Sequence, residues 1–315
     1  MTDEFAPSMI VPTAPPDFKS GFVAIVGRPN VGKSTLMNQL VGQKIAITSP
    51  VAQTTRNRLR GILTTDQSQI IFVDTPGIHK PHHELGRVLV QNARTAITAV
   101  DVVLFVVDSA VELGGGDRFI VELLKKSPTP IILGLNKQDQ QPDDPDTVTQ
   151  LDHSYRAVAE ENGWTVAKFS ALTGEGLAGL QQELSDRLAP GPYYYPPDLV
   201  TDQPERFIMG ELIREQLLLL TRQEVPHSVA ITIDRVEEKP KITHVHAAIN
   251  VERPSQKGIV IGKSGTMLKA IGTAAREQIQ KLIAGQVYLD LFVRVQPKWR
   301  QSRTRLAELG YRVED

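Results

Sequence analysis

The 315-residue sequence has no cysteine, which excludes a disulfide framework, a thiolate zinc site, an iron–sulfur cluster and a cysteine nucleophile. That absence fits a reducing compartment without requiring one. Long apolar runs are missing too: the longest, such as Val102 to Val107, fall far short of the roughly 18 residues a membrane-crossing helix needs. There is no basic start leading into an apolar stretch, for the first 20 residues carry Asp3, Glu4 and four prolines and read as a loose tail, not a secretion signal. The expected location is the cytoplasm. Neither charge sign dominates, with 35 Lys+Arg against 36 Asp+Glu. At 41% hydrophobic and 23% charged residues, disorder and collagen are out, and the length points to two domains. No internal repeat is present.

The net charge of −1 hides a polarity, because residues 257 to 315 hold 11 basic and 5 acidic side chains, a net of +6 against −7 for the rest. Two readings stay open: an anionic partner for the C-terminal end, or a solvated charged surface.

From Gly21 to about Ala189, short β-branched runs alternate with helical patterns: Phe22 to Val26, Ile70 to Val73, Val102 to Val107, Ile131 to Leu135 and Thr165 to Phe169. Four of them are near-continuous apolar runs, which strands of a largely parallel sheet show when helices cover both faces. Asn57 to Thr65 predicts an antiparallel edge strand, paired with Gln69 to Val73 across Thr65-Asp66-Gln67-Ser68. Residues 189–200, rich in proline and tyrosine, continue neither helix nor central strand. At about 3.1 Å per residue they would form a semi-rigid polyproline II spacer of roughly 30 Å. The expected domains are a tail (1–20), an α/β domain (21–188), this linker, and an α+β domain (201–315). In the last, a helix from Glu205 to Leu220 precedes strands at Val229 to Val236 and Ile242 to Asn250. Leu268, Ile271, Ala275, Ile279 and Leu282 then mark one helix face, followed by a strand at Val287 to Val295 and a short helix at Gln301 to Leu309.

Directly after the first strand, Gly27-Arg28-Pro29-Asn30-Val31-Gly32-Lys33-Ser34 fits GxxxxGK followed by Ser or Thr, and opens a helix at Thr35. Inward backbone N–H groups, glycines that let the chain approach an anion, and a helix N-terminus make a phosphate cradle. Lys33 is expected to reach the β- and γ-phosphates and Ser34 to ligate Mg²⁺. Asp74-Thr75-Pro76-Gly77 ends a later strand: Asp74 is placed on the metal's hydration shell, and the Gly77 N–H on the γ-phosphate. In Gln53-Thr54-Thr55-Arg56, one threonine caps Mg²⁺ opposite Ser34. In Asn136-Lys137-Gln138-Asp139, the Asp139 carboxylate suits the N1–H and N2–H donors of guanine, whereas adenine leaves that charge without matched donors. Asn136 bridges base and loops, and the Lys137 stem covers the purine face. In Ser170-Ala171-Leu172, the Ala171 N–H is placed to meet the base carbonyl oxygen.

These five elements occur in the order of the small GTP-binding proteins. More narrowly, GRPNVGKST, QTTR, DTPGIHKP, NKQD and SAL resemble the Era family of bacterial and organellar GTPases, over most of the chain. The resemblance implies a P-loop GTPase domain followed by a KH domain. It further implies action in 30S subunit assembly through the small-subunit (16S) ribosomal RNA, and for some members peripheral attachment to the inner membrane. It also favours Thr55 over Thr54. A monomer is expected. The place after Gly77, where many regulatory GTPases carry a water-orienting glutamine, is Ile78, so unaided turnover is expected to be slow. Asn30 resembles the position at which potassium-stimulated GTPases help hold a monovalent cation; turn geometry is the plain alternative.

In the basic end, Gly258-Ile259-Val260-Ile261-Gly262-Lys263-Ser264-Gly265 sets a GxxG loop between helical stretches, and the order of elements matches a type II KH fold. The nucleic acid backbone is expected to pass Gly262 and Gly265, with Lys263 facing phosphate and Ser264 donating. Lys269 and Arg276 either extend that track or are solvated charges. Trp299, among Lys298, Arg300, Arg303 and Arg305, either packs on its own domain or stacks on a base. His79, His82 and His83 read as part of a switch loop, and His244 and His246 as structural or solvated. The rival function is a membrane-surface or cell-cycle GTPase whose basic end meets anionic lipid.

Overall fold

Strands buried on both faces need a near-continuous apolar run, and β3 (Ser68–Asp74), β4 (Val102–Asp108) and β5 (Ile131–Asn136) carry one, with polar residues only at their ends; every residue of β3 and β5 is buried. They belong to a six-stranded sheet of order β2-β3-β1-β4-β5-β6 in a computed structural model that describes residues 11–49, 59–75, 77–78, 90–91, 94–221, 225, 228–283 and 285–309. β1 (Lys19–Val26) pairs in parallel with β3 and β4; β5 pairs in parallel with β4 and with β6 (Thr165–Lys168). The expected antiparallel edge is β2 (Leu59–Thr64), aligned with β3 from Leu59 opposite Asp74 to Thr64 opposite Gln69. Thr65 closes that hairpin, its N–H donating to the Ser68 carbonyl at 2.8 Å and its hydroxyl oxygen accepting the Ser68 N–H at 3.0 Å.

Helices of this unit include α1 (Lys33–Val41), α2 (Gly115–Leu124), α3 (Pro145–Asn162) and α4 (Leu177–Arg187). α3 starts where the Asp144 carboxylate accepts the Thr147 N–H at 3.0 Å and Pro145 presets the first helical φ. Because β1, β3, β5 and β6 run parallel, the loops after them, which carry the phosphate and base motifs, open on one edge of the sheet.

The chain forms two compact units, and the first runs to Asp202. Two expectations change here. Lys19 and Ser20, assigned to a tail, begin β1 opposite Ser68 and Gln69. The 189–200 stretch is no free spacer but lies bonded along the first unit. Ser20 N–H reaches the Ala189 carbonyl at 3.1 Å, Gly191 N–H that of Phe18 at 2.8 Å, and Ile62 N–H that of Val200 at 2.9 Å. The reason is Gln69, fully buried, whose Oε1 accepts the N–H groups of Tyr194 (2.8 Å) and Tyr195 (3.0 Å) while its Nε2 donates to the Tyr195 carbonyl (2.9 Å). Arg60 closes the stretch on Asp202 at 2.7 Å.

The second unit holds α5 (Glu205–Leu220), β7 (Val229–Lys239), β8 (Ile242–Val251), α6 (Pro254–Ile261), α7 (Thr266–Ile279), β9 (Gln286–Val295) and α8 (Arg303–Glu308). Its sheet order is β7-β8-β9, antiparallel then parallel. The helix face read from Ile271, Ala275 and Ile279 is buried against this sheet with Val245, Ala247 and Ile249. Trp299 takes the packing reading: it is fully buried with Leu306, and its indole N–H donates to the Ser228 carbonyl at 3.1 Å. A base cannot stack on it. The unit also takes in Ile47, from the stretch after α1, as part of its core.

Candidate functional site

Gly32 ends the phosphate loop at φ +96°, where a Cβ would stand 2.4 Å from Asn136 Nδ2, so only glycine fits both the backbone and its neighbour. That neighbour organises the site. Asn136, buried at the end of β5, donates from Nδ2 to the Val31 carbonyl at 2.7 Å and accepts the Ala171 N–H on Oδ1 at 2.9 Å. One side chain thus ties the phosphate loop to the Ser170-Ala171-Leu172 loop. In this structure the Ala171 N–H meets Asn136, the partner that sequence reasoning missed, since it expected the base carbonyl oxygen.

Lys33 is buried, with Nζ donating to the carbonyls of Gly27 (3.2 Å) and Arg28 (2.9 Å). Burial lowers its pKa from 10.5 to about 8, against the pull of Asp74 in the other direction. An anion arriving at the loop relieves that cost. Asp74, fully buried, accepts the Ser34 hydroxyl at 2.9 Å, and Thr75 fixes the end of β3 to β1 through the Ile25 carbonyl (2.8 Å). Thr35 is half-buried in the first turn of α1, and Asn30 has φ +64°. Gly77 and Ile78 are described, Ile78 buried; Thr54, Thr55, His79, His82 and His83 lie outside the described residues.

At the base side, Lys137 adopts φ +67° and pairs with Asp108 at 2.6 Å. Asp139 is exposed in a short 3-10 turn, where the buried Ser170 hydroxyl donates to its Oδ1 at 2.5 Å. Leu172, two residues after Ser170, is 69% exposed. The structure therefore brings Gly27 to Ser34, Asp74, Asn136 to Asp139 and Ser170 to Leu172 to one edge of the sheet.

In the second unit, Gly262 has φ +73° and ψ 175°, and a Cβ there would lie 2.7 Å from the Cβ of Met267. Lys263 and Ser264 are exposed, Ser264 at φ +52° and Gly265 at φ +79°. Beside them an open groove of about 560 Å³ runs between α7 and β9, lined among others by Gly265, Lys269, Arg276, Tyr288 and Leu291. Tyr288, 52% exposed, was not expected, although alternation along β9 would place it opposite the buried Val287 and Val293. Arg300 is turned away, bonded through Nε to Glu252 at 3.0 Å. Among the described residues no cluster of three or more His, Asp or Glu is placed to hold a metal ion; His246 faces Asp290 at 3.3 Å.

Two family models match: 50S ribosome-binding GTPase over residues 22–137 and KH domain over 224–300. GTPase Era of Rippkaea orientalis is 72% identical over 96% of this chain and 96% of its own, and that of Synechocystis is 72% identical over 97% and 96%. The chain belongs to the Era family of GTPases. Era of Aquifex aeolicus, solved with GDP and AlF4⁻, is similar at 37% identity with a TM-score of 0.89, over 94% of this chain and 100% of that one. An Era solved with MgGDPNP and nucleotides 1506–1542 of 16S ribosomal RNA is 36% identical, also with a TM-score of 0.89, over 94% and 99%. As an Era GTPase, the protein hydrolyses GTP to GDP and phosphate, on an α/β P-loop domain followed by a KH domain.

Proposed function

We propose that the protein is a guanine-nucleotide switch that binds the small-subunit (16S) ribosomal RNA through its KH unit and assists maturation of the 30S subunit in the cytoplasm, as a monomer. The observation that carries the RNA assignment is the groove that Gly265 of the GxxG loop lines together with Lys269 and Arg276 of α7, with Lys263 exposed in the loop itself. Its similarity to an Era solved with such an RNA supports the same reading.

In this reading GTP lies across the loops after β1, β3, β5 and β6. Lys33, Gly27, Asn30, Val31, Gly32, Ser34 and Thr35 take the phosphates, Gly77 the γ-phosphate, and Asn136, Lys137, Asp139 and Ser170 to Leu172 the guanine. Ser34 and Asp74 present two hard oxygen donors 2.9 Å apart, a set that suits a hard cation such as Mg²⁺. Thr55 is assigned as the third ligand. The bound ion supplies positive charge beside the β- and γ-phosphate oxygens. Lys33 adds a second positive charge, aimed by two carbonyls. Ile78 offers water neither donor nor acceptor, so hydrolysis without a partner is slow. Potassium at Asn30 is a further element of this proposal.

The test is equilibrium binding to a 16S 3′-terminal RNA across a salt series. Affinity falls steeply with salt, and Lys263→Ala reduces the slope by about 1. A salt-insensitive complex contradicts the assignment. Flotation with anionic liposomes, with and without ribonuclease, checks the lipid rival; no helix among the described residues is long and apolar enough to cross a membrane.

A further inference from the structure

The second residue of the phosphate loop, Arg28, turns its side chain to α2. Its Nε donates at 2.7 Å to Asp117 Oδ1, in the first turn of α2 and 89 residues distant. The Asp117 side chain is wholly buried, and that of Arg28 is 29% exposed. Asp117 is held in turn, since its Oδ2 accepts the Gly114 N–H at 3.2 Å. The Arg28 stem lies so close on α2 that a Cβ at Gly116 would stand 2.5 Å from its Cδ. The strand end and loop before α2 are fixed as well, because the buried Tyr155 hydroxyl lies 3.1 Å from the carbonyls of Asp108 and of Val111. At the other end of Arg28, its own backbone carbonyl accepts the Lys33 ammonium at 2.9 Å.

We propose that Asp117 is a positioning residue for GTP: by clamping Arg28 to α2 it fixes the carbonyl that aims Lys33 at the phosphates. A carboxylate fully removed from water is costly unless matched, and one guanidinium N–H plus one helix N–H is the match here. Arg28 is therefore held at both ends, by its side chain to a helix and by its carbonyl to the lysine. Without the clamp, the loop must be ordered by the nucleotide itself, and affinity falls by the cost of that ordering. The inference rests on nucleotide binding at this loop, and wild-type protein binding mant-GDP is the control that separates failure of the two.

The experiment measures mant-GDP affinity and thermal stability for Asp117→Asn, Arg28→Gln and the double variant in the full chain. Each single change raises Kd on the order of 10-fold, the magnitude of one lost charged hydrogen bond. The double variant is no weaker than the worse single one. A role confined to capping α2 predicts lower stability with Kd within twofold of wild type, or independent effects that multiply; either result overturns the proposal. If Asp117→Asn does not fold, Arg28→Lys tests it alone, since lysine keeps the charge but cannot place a planar N–H on Asp117. It should weaken mant-GDP binding several-fold, and an unchanged Kd refutes the clamp.

Discussion

Thr48 is bonded to Glu215: its backbone N–H donates to Glu215 Oε1 at 2.8 Å, and its hydroxyl lies 3.3 Å from the same oxygen. Glu215 is buried on α5, and Ile47 beside Thr48 packs with Ile208, Met209 and Leu212 of that helix. The second unit thus holds a stretch lying just before Thr55. Glu215→Ala leaves a part-buried N–H without its acceptor, at a cost of about 1–3 kcal/mol in urea unfolding of the full chain. We expect it also to narrow the difference in RNA affinity between the GTP-bound and GDP-bound protein. An unchanged difference would show that this anchor carries no signal.

The Lys33 ammonium predicts a pH effect of definite sign. Its folded pKa, about 8, lies below the 10.5 of the free side chain, so the unfolded chain binds more protons between these values. In that window the stability of the nucleotide-free protein contributed by Lys33 rises with pH; below about pH 8 the buried charge destabilises it in full. Phosphates favour the charged form and raise the pKa. Nucleotide binding therefore takes up protons above about pH 8, and affinity falls as pH rises through the window. Calorimetry at pH 8.5 in two buffers of different ionisation enthalpy measures the uptake; proton release would contradict it.

Much of this was legible in the chain. Four strands of the first sheet were legible as near-continuous apolar runs, a fifth at Thr165 to Phe169, and the β2–β3 hairpin from the polar turn at Thr65 to Ser68. The phosphate and base loops were legible because their chemistry is local. What sequence concealed was long-range. Proline content describes 189–200 as extended but says nothing of Gln69, more than 100 residues away, that binds it. A carboxylate on a helix, such as Asp117 or Glu215, reads as solvated until its partner is seen. Tyr288 lines the groove only because β9 pairs with β8 beside α7.

Ile78 is 1% exposed, so a change there acts through packing. Ile78→Val should leave kcat within a few-fold of wild type at a cost of about 0.5–1.5 kcal/mol in stability, whereas Lys33→Ala abolishes binding or turnover. A collapse of kcat in Ile78→Val at unchanged GTP affinity would give this side chain a part in the chemistry.

Asn30 holds φ +64°, a conformation asparagine tolerates better than most residues. If its side chain also helps hold a monovalent cation, hydrolysis runs faster in potassium than in sodium and Asn30→Gly, which keeps the backbone, removes the difference. Equal rates in the two salts leave turn geometry as its whole role.

The most direct measurement is competition of GTP and ATP for mant-GDP-loaded protein. In the proposed reading Asp139, oriented by the Ser170 hydroxyl at 2.5 Å, accepts the two donors of guanine, which adenine cannot replace. Selection for GTP on the order of 10⁴-fold is expected. Displacement by ATP at concentrations comparable with GTP would contradict the account.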